Sequence, residues 1–136
     1  MNWKIILLLV FIGAAVAVAS LFGLLQSRYT IVYWLVLAIA SGFVIAKTCN
    51  RTFMHGVIVG LLTGIIGSII QAVFFDTYLL NNPSSLDGFK NLSTSLEPQY
   101  ILLFTGPFFG IAYGIVVGLI ALGLKKISGK NNLNNI

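Results

Sequence analysis

The chain reads as an all-α integral membrane protein: four transmembrane helices in two antiparallel hairpins, with a short outer loop at one end. Three observations predict this. Hydrophobic residues make up 58% of the sequence and charged residues only 8%, whereas a soluble domain is about a quarter charged. The apolar residues gather into four runs, each of a length that crosses hydrocarbon. The last two runs carry glycine at helical spacing, as Gly56, Gly60, Gly64 and Gly67, then Gly106, Gly110, Gly114 and Gly118. Glycine weakens a helix in water. In lipid, a strip without side chains lets a second helix backbone come close, and dispersion contacts hold the pair.

The first run extends from Ile5 to Leu25, about 21 residues and so about 31 Å as a helix. Lys4, the apolar run and Ala17-Val18-Ala19 before Ser20 resemble a signal-peptide cleavage site. The run continues through Leu21, Phe22, Leu24 and Leu25 to a full span, and that length predicts a retained helix. The second run, Tyr29 to Ala46, has about 18 residues, near the short limit. Only residues 26–28 separate it from the first, which predicts the first hairpin. A short basic link, Lys47 to His55, leads to the third run, Gly56 to Phe75. The fourth runs from Tyr100 to Leu124, about 25 residues, long enough to tilt or bend.

Between the third and fourth runs lies the outer loop, 76–99, which holds all three acidic residues, Asp76, Asp87 and Glu97. Asn82-Pro83-Ser84 reads as a helix cap followed by a first-turn proline. Leu86, Phe89, Leu92 and Leu96 then recur at roughly helical spacing. The pattern fits a short interfacial helix; Gly88 weakens it, and an irregular loop over the bundle mouth fits as well. Residues 1–126 form one transmembrane domain, and 127–136 a polar, Asn-rich tail expected to be solvated and frayed.

Orientation follows from charge. With the N-terminus in the cytoplasm, Lys4, Lys47, Arg51, Lys125, Lys126 and Lys130 lie inside, and only Arg28 and Lys90 outside. This positive-inside bias predicts cytoplasmic termini. The short length, spare loops and Asn-leaning tail fit a bacterial inner (plasma) membrane protein. The net charge of +5 is no nucleic-acid signature, because the cations sit at the ends of apolar runs and not on one face. The single cysteine, Cys49, excludes an internal disulfide.

Weaker small-residue strips occur in the first run (Ala15, Ala19, Gly23) and the second (Ala38, Gly42, Ala46). Two readings stay open: compact packing within one monomer, or a glycine zipper between subunits that lines a pore. Gly106-Pro107 is a candidate hinge, since a proline inside a helix frees the carbonyl of Leu103. Broken helices at membrane depth often mark binding sites; a fixed kink is the plainer account. Gln71, with Ser68 and Thr63 on the same helix, is the candidate intramembrane polar contact, together with Thr105, Ser41 and Tyr113. An amide facing lipid is costly, so Gln71 is expected to face another helix or a wet cavity.

No Asp, Glu, Lys, Arg or His lies in the middle of any run. Proton relays and ion-coupled transporters usually need one. The size and helix count are those of small four-helix multidrug transporters, but the acidic residue those place in their first helix is absent, so that function is not carried over. Cys49 and His55 are two ligand types near one end, with no second pair to complete a metal site. Asp76 and Glu97 flank the outer loop; interfacial anchoring and an Arg28–Asp76 ion pair are the plainer account of them. Asn91-Leu92-Ser93 matches a short glycosylation sequon. Phe22, Tyr29, Tyr33, Trp34, Phe74, Phe75, Tyr78, Tyr100 and Phe104 fall near the outer ends. An aromatic belt accounts for them, and their excess on one side leaves room for a lipid or hydrophobic-ligand pocket.

No catalytic, cofactor or metal motif is expected, and the chain is read as no enzyme. Two function classes follow. One is an accessory or structural subunit that packs against itself, as a homo-oligomer, or against a larger membrane complex through its small-residue faces. The other is a passive channel or facilitator for a small solute.

Overall fold

A computed structural model describes residues 1–25, 29–83 and 96–133. Among these the chain is all-helical: α1 is Trp3–Leu21, α2 Thr30–Thr48, α3 Thr52–Val73, α4 Phe75–Asn81 and α5 Pro98–Leu133. Four of them are long and apolar enough to cross a membrane, with mean hydropathy between 1.9 and 2.6 over their most apolar windows. Phe11, Ile31, Phe108 and Phe109 are among many large apolar side chains on the outer faces. Lipid accepts such faces, whereas water would force them into a core.

The helices do not pair in chain order. α3 and α5 share by far the most extensive contact, α1 packs on α3, α2 packs on α5, and α1 and α2 touch at only a few points. Across the bundle the order is therefore α1, α3, α5, α2. A short link holds the adjoining ends of α1 and α2 near each other, but it cannot oblige the helices to pack along their length. The first hairpin expected from the link is accordingly not a packed pair.

One end of the bundle, here the terminal end, brings together the start of α1, the α2–α3 link and α5. The backbone N–H of Asn2 donates to Nε2 of His55 at 2.9 Å. Nε2 is thus the acceptor, so Nδ1 carries the proton and donates to the Arg51 carbonyl at 2.7 Å. Lys125 Nζ donates to the carbonyls of Cys49 and Asn50 at 2.9 and 3.1 Å. These carbonyls lie just past the end of α2, where a cation is favoured. The main core belongs to this half: Ile6, Leu9, Val10, Ala38, Ile45, Val59, Val117 and Ala121 form one buried cluster.

The opposite, loop end is closed by backbone and amide hydrogen bonds. Gly23 has φ +66°. Its N–H donates to the Ser20 carbonyl at 3.1 Å, and the Leu24 N–H to the Ala19 carbonyl at 3.3 Å, which is a Schellman termination. Gly23 therefore ends α1 and does not extend its small-residue strip. Ala15, in the same expected strip, is exposed, while Gly13 and Ala17 are buried. α4 supplies the remaining cap. Asn81 Nδ2 donates to the Leu21 carbonyl at 2.9 Å and Asn82 Nδ2 to the Ser20 carbonyl at 2.8 Å.

α3 breaks at Phe74 (φ −105°, ψ 38°), and α4 starts at the next residue, so the third apolar run continues as a second, short helix. Asp76 sits in its first turn, where the helix dipole favours an anion. The interfacial helix expected from Leu86, Phe89, Leu92 and Leu96 lies outside the described residues except for Leu96, which is in a bend before α5. α5 is one helix through Pro107 and on to Leu133. It thus runs beyond the expected boundary into the polar tail, with Lys125 and Lys126 near its C-terminal end.

Candidate functional site: the glycine seam and the cleft beside it

The glycines at spacing four on α3 and α5 face each other in antiparallel register. A Cβ added to Gly60 would collide with the backbone of Gly114 and the carbonyl of Gly110. One on Gly56 would collide with Gly118, and one on Gly64 with Gly106 and Gly110. From the other side, a Cβ on Gly110 would lie 2.7 Å from the Gly60 carbonyl oxygen, and one on Gly114 2.8 Å from the Cα and carbonyl of Val57. Gly118 would meet Phe53 at 2.9 Å, and Gly106 would run into Ser68. Backbone lies directly on backbone, close enough for dispersion and Cα–H···O contacts along the seam. Gly67 departs from the set. Its Cβ would meet only the Cβ of Ala17, at 3.7 Å, so this glycine faces α1 and has room.

Beside the loop-end half of the seam is a cleft of about 550 Å³. Gly60, Gly64, Gly67, Gly106 and Gly110 give it a floor without side chains. Gly13 and Ala17 of α1 form one wall, and Thr30 and Trp34 of α2 the other. The cleft exists because α1 and α2 lean on different partners and leave the space between them unfilled. It stops where the buried cluster around Val59 and Val117 begins.

All but one of the polar residues singled out from the sequence converge here; Ser41 is buried outside the lining. Thr63, Ser68, Gln71, Thr105 and Tyr113 all line the cleft. Two are hydrogen-bonded within their own helix: Ser68 Oγ donates to the Ile65 carbonyl at 2.9 Å and Thr105 Oγ1 to the Ile101 carbonyl at 2.8 Å. Gln71 Nε2 donates across to Ser20 Oγ at 3.3 Å, tying α3 to α1. Tyr113 differs. Its ring packs edge-on against Trp34, with centroids 5.1 Å apart. Its hydroxyl is buried and makes no hydrogen bond of acceptable geometry, although the Ser41 side chain lies beside it. Ser41 is not among the residues that line the cleft, so this hydroxyl is closed off from the open space.

The other sequence candidates fall elsewhere. Cys49 and His55 are both buried at the terminal end, far along the bundle from the cleft, and His55 has both ring nitrogens engaged. Among the described residues no three His, Cys, Asp or Glu side chains come close enough to hold a metal. Glu97 accepts a hydrogen bond from Gln99 two residues on. Arg28 and the Asn91 sequon lie outside the described residues. Gly106 lies in the seam, and Pro107 beside it lies within the continuous α5. Trp34 and Tyr78 of α4, expected as members of an aromatic belt that leaves room for a hydrophobic pocket, line the cleft, whereas Gly13, Thr30, Leu102 and Phe109 were not singled out from the sequence.

No family model matches this chain, and neither a curated protein nor a solved structure matches it.

Proposed function

We propose that this chain is a non-enzymatic membrane protein that holds one small amphiphilic molecule in the cleft, acting as a binding protein or facilitator for that solute within the bilayer. The observation that carries this reading is the cleft itself, a glycine floor edged by Thr63, Ser68, Gln71 and Thr105. The cleft volume, about 550 Å³, falls in the usual range for small-molecule sites. It is too small for a partner's transmembrane helix, which is about 10 Å across with its side chains. A mostly apolar molecule with one hydrogen-bonding end matches the lining. The dense cluster below the cleft argues for occupancy and release from one side over a continuous pore.

The alternative, an accessory subunit, draws on the small-residue faces. Those of α3 and α5 are occupied by each other, so a partner or a second copy would dock on other surfaces. The proposed setting is the bacterial inner membrane with both termini in the cytoplasm, supported by the cation bias between the two ends.

Native mass spectrometry of the protein released from its own membranes in mild detergent tests the reading. The expected result is one equivalent of a small molecule that is absent from Gly67→Leu, whose side chain would grow into the cleft. Gln71→Leu, close in size, should retain the fold and hold the molecule about fivefold to tenfold less tightly, the share of one hydrogen bond. A stoichiometric second polypeptide with an empty cleft would transfer the function to that complex.

A further inference from the structure

At the terminal end a second hollow, of about 780 Å³, is lined by Trp3, Lys4, Asn50, Arg51 and His55 among others. We propose that it seats the phosphate headgroup of an anionic phospholipid. Charge carries the argument. The described acidic residues, Asp76 and Glu97, both lie at the loop end, whereas Lys4, Lys47, Arg51, Lys125 and Lys126 lie at the terminal end.

Within that end the cations divide by what they already do. Lys125 is bound to the carbonyls of Cys49 and Asn50, and Lys47 sits 4.2 Å from the centre of the Phe43 ring. Lys4 and Arg51 both line the hollow, and both are exposed. A guanidinium offers a fork of donors that matches two phosphate oxygens, and a lysine adds a point charge. His55 already has both ring nitrogens hydrogen-bonded, so it shapes the wall and does not compete for the ligand.

Position selects a lipid over a soluble anion. The hollow opens where α1 enters its apolar run. Trp3 is exposed at its edge, and Leu7, Leu8 and Phe11 are exposed one to two turns further along the same helix. Acyl chains attached to a phosphate held at Lys4 and Arg51 thus have an apolar flank to follow, while Trp3 suits the headgroup level. Basic pockets at the ends of helices bind anionic headgroups by this combination of charge and depth.

The test is native mass spectrometry of the full chain, titrated with phosphatidylglycerol or phosphatidylcholine of the same chain length. The expected result is one phosphatidylglycerol retained at least tenfold more tightly than phosphatidylcholine, with Lys4→Gln/Arg51→Gln losing that preference by an order of magnitude. Both side chains are exposed, so the fold should persist, and circular dichroism checks this. Lys126→Gln, a cation at the same end outside the hollow, should keep the preference. An equal preference in the double variant, or its loss in Lys126→Gln, would overturn the assignment. So would displacement of the lipid by millimolar inorganic phosphate, which would make the hollow a site for a free anion.

Discussion

The two halves of the bundle solve the same packing problem by opposite means. At the terminal end, branched and bulky side chains (Ile6, Leu9, Val10, Ile45, Val59, Val117) fill the space among all four long helices. At the loop end, α3 and α5 stay in backbone contact, but much of what they turn toward α1 and α2 is glycine, serine and threonine, and the space stays open. One half is held by side-chain volume and the other by its absence. A bundle meant only to be rigid would fill both halves, since close-packed interiors gain dispersion energy everywhere. The open half, with Thr63, Ser68, Gln71 and Thr105 on its lining, is where the proposed ligand would add contacts that the chain lacks alone.

Substitutions can break this contrast, beginning with the seam that both halves share. Gly60→Ala should be the most damaging single-methyl change in the protein, because the added carbon lands on the Gly114 and Gly110 backbone and neither helix can yield locally. A loss of about 3 kcal/mol is expected, the upper range for overpacking, read as resistance to unfolding in a detergent titration. Wild-type resistance would mean that α3 and α5 are further apart than described. Ile45→Ala should come next, at about 2 kcal/mol. In lipid the transfer part of a cavity penalty shrinks and the packing part remains. If it proved neutral, the terminal half would not be the close-packed half.

Two glycine substitutions sharpen the comparison. Gly23→Ala should cost about 1–2 kcal/mol through its left-handed backbone, with the carbonyl oxygen of Asn81 only 2.9 Å from the new carbon. Hydrogen exchange should show the ends of α1 and α4 opening together. Gly67→Ala should fall within about 0.5 kcal/mol of wild type in the same unfolding titration, as expected where nothing is crowded. Gly60 and Gly67 belong to one sequence strip, so a large penalty at both would erase the distinction between seam and cleft.

Much of the architecture was legible in the chain. The four spans could be read because lipid imposes a length and an apolar composition that no other environment requires. Glycines at spacing four on two successive runs pointed to a close helix contact, since no other advantage offsets glycine's cost in a helix. Five of the six polar residues picked out one by one line the cleft, and Ser41 does not. Three things were not legible. Gly23 looked like a strip residue because spacing alone does not distinguish a packing glycine from a terminating one. The Asn81 and Asn82 caps on α1 span some sixty residues of sequence, and nothing local announces such a partner. The short link suggested that α1 and α2 would pack together, yet a link restrains only the two ends that it joins.

Composition and periodicity by themselves determined that this chain is four apolar helices with two glycine faces, because those properties belong to single segments and to the solvent around them. The neighbour of each helix was decided only in three dimensions. Once α3 and α5 closed on each other, α1 and α2 were left to opposite flanks, and their separation opened the cleft. A cavity is a property of the space between segments: the same four helices in another order would have the same hydropathy and the same glycine spacing, and no cleft beside the seam.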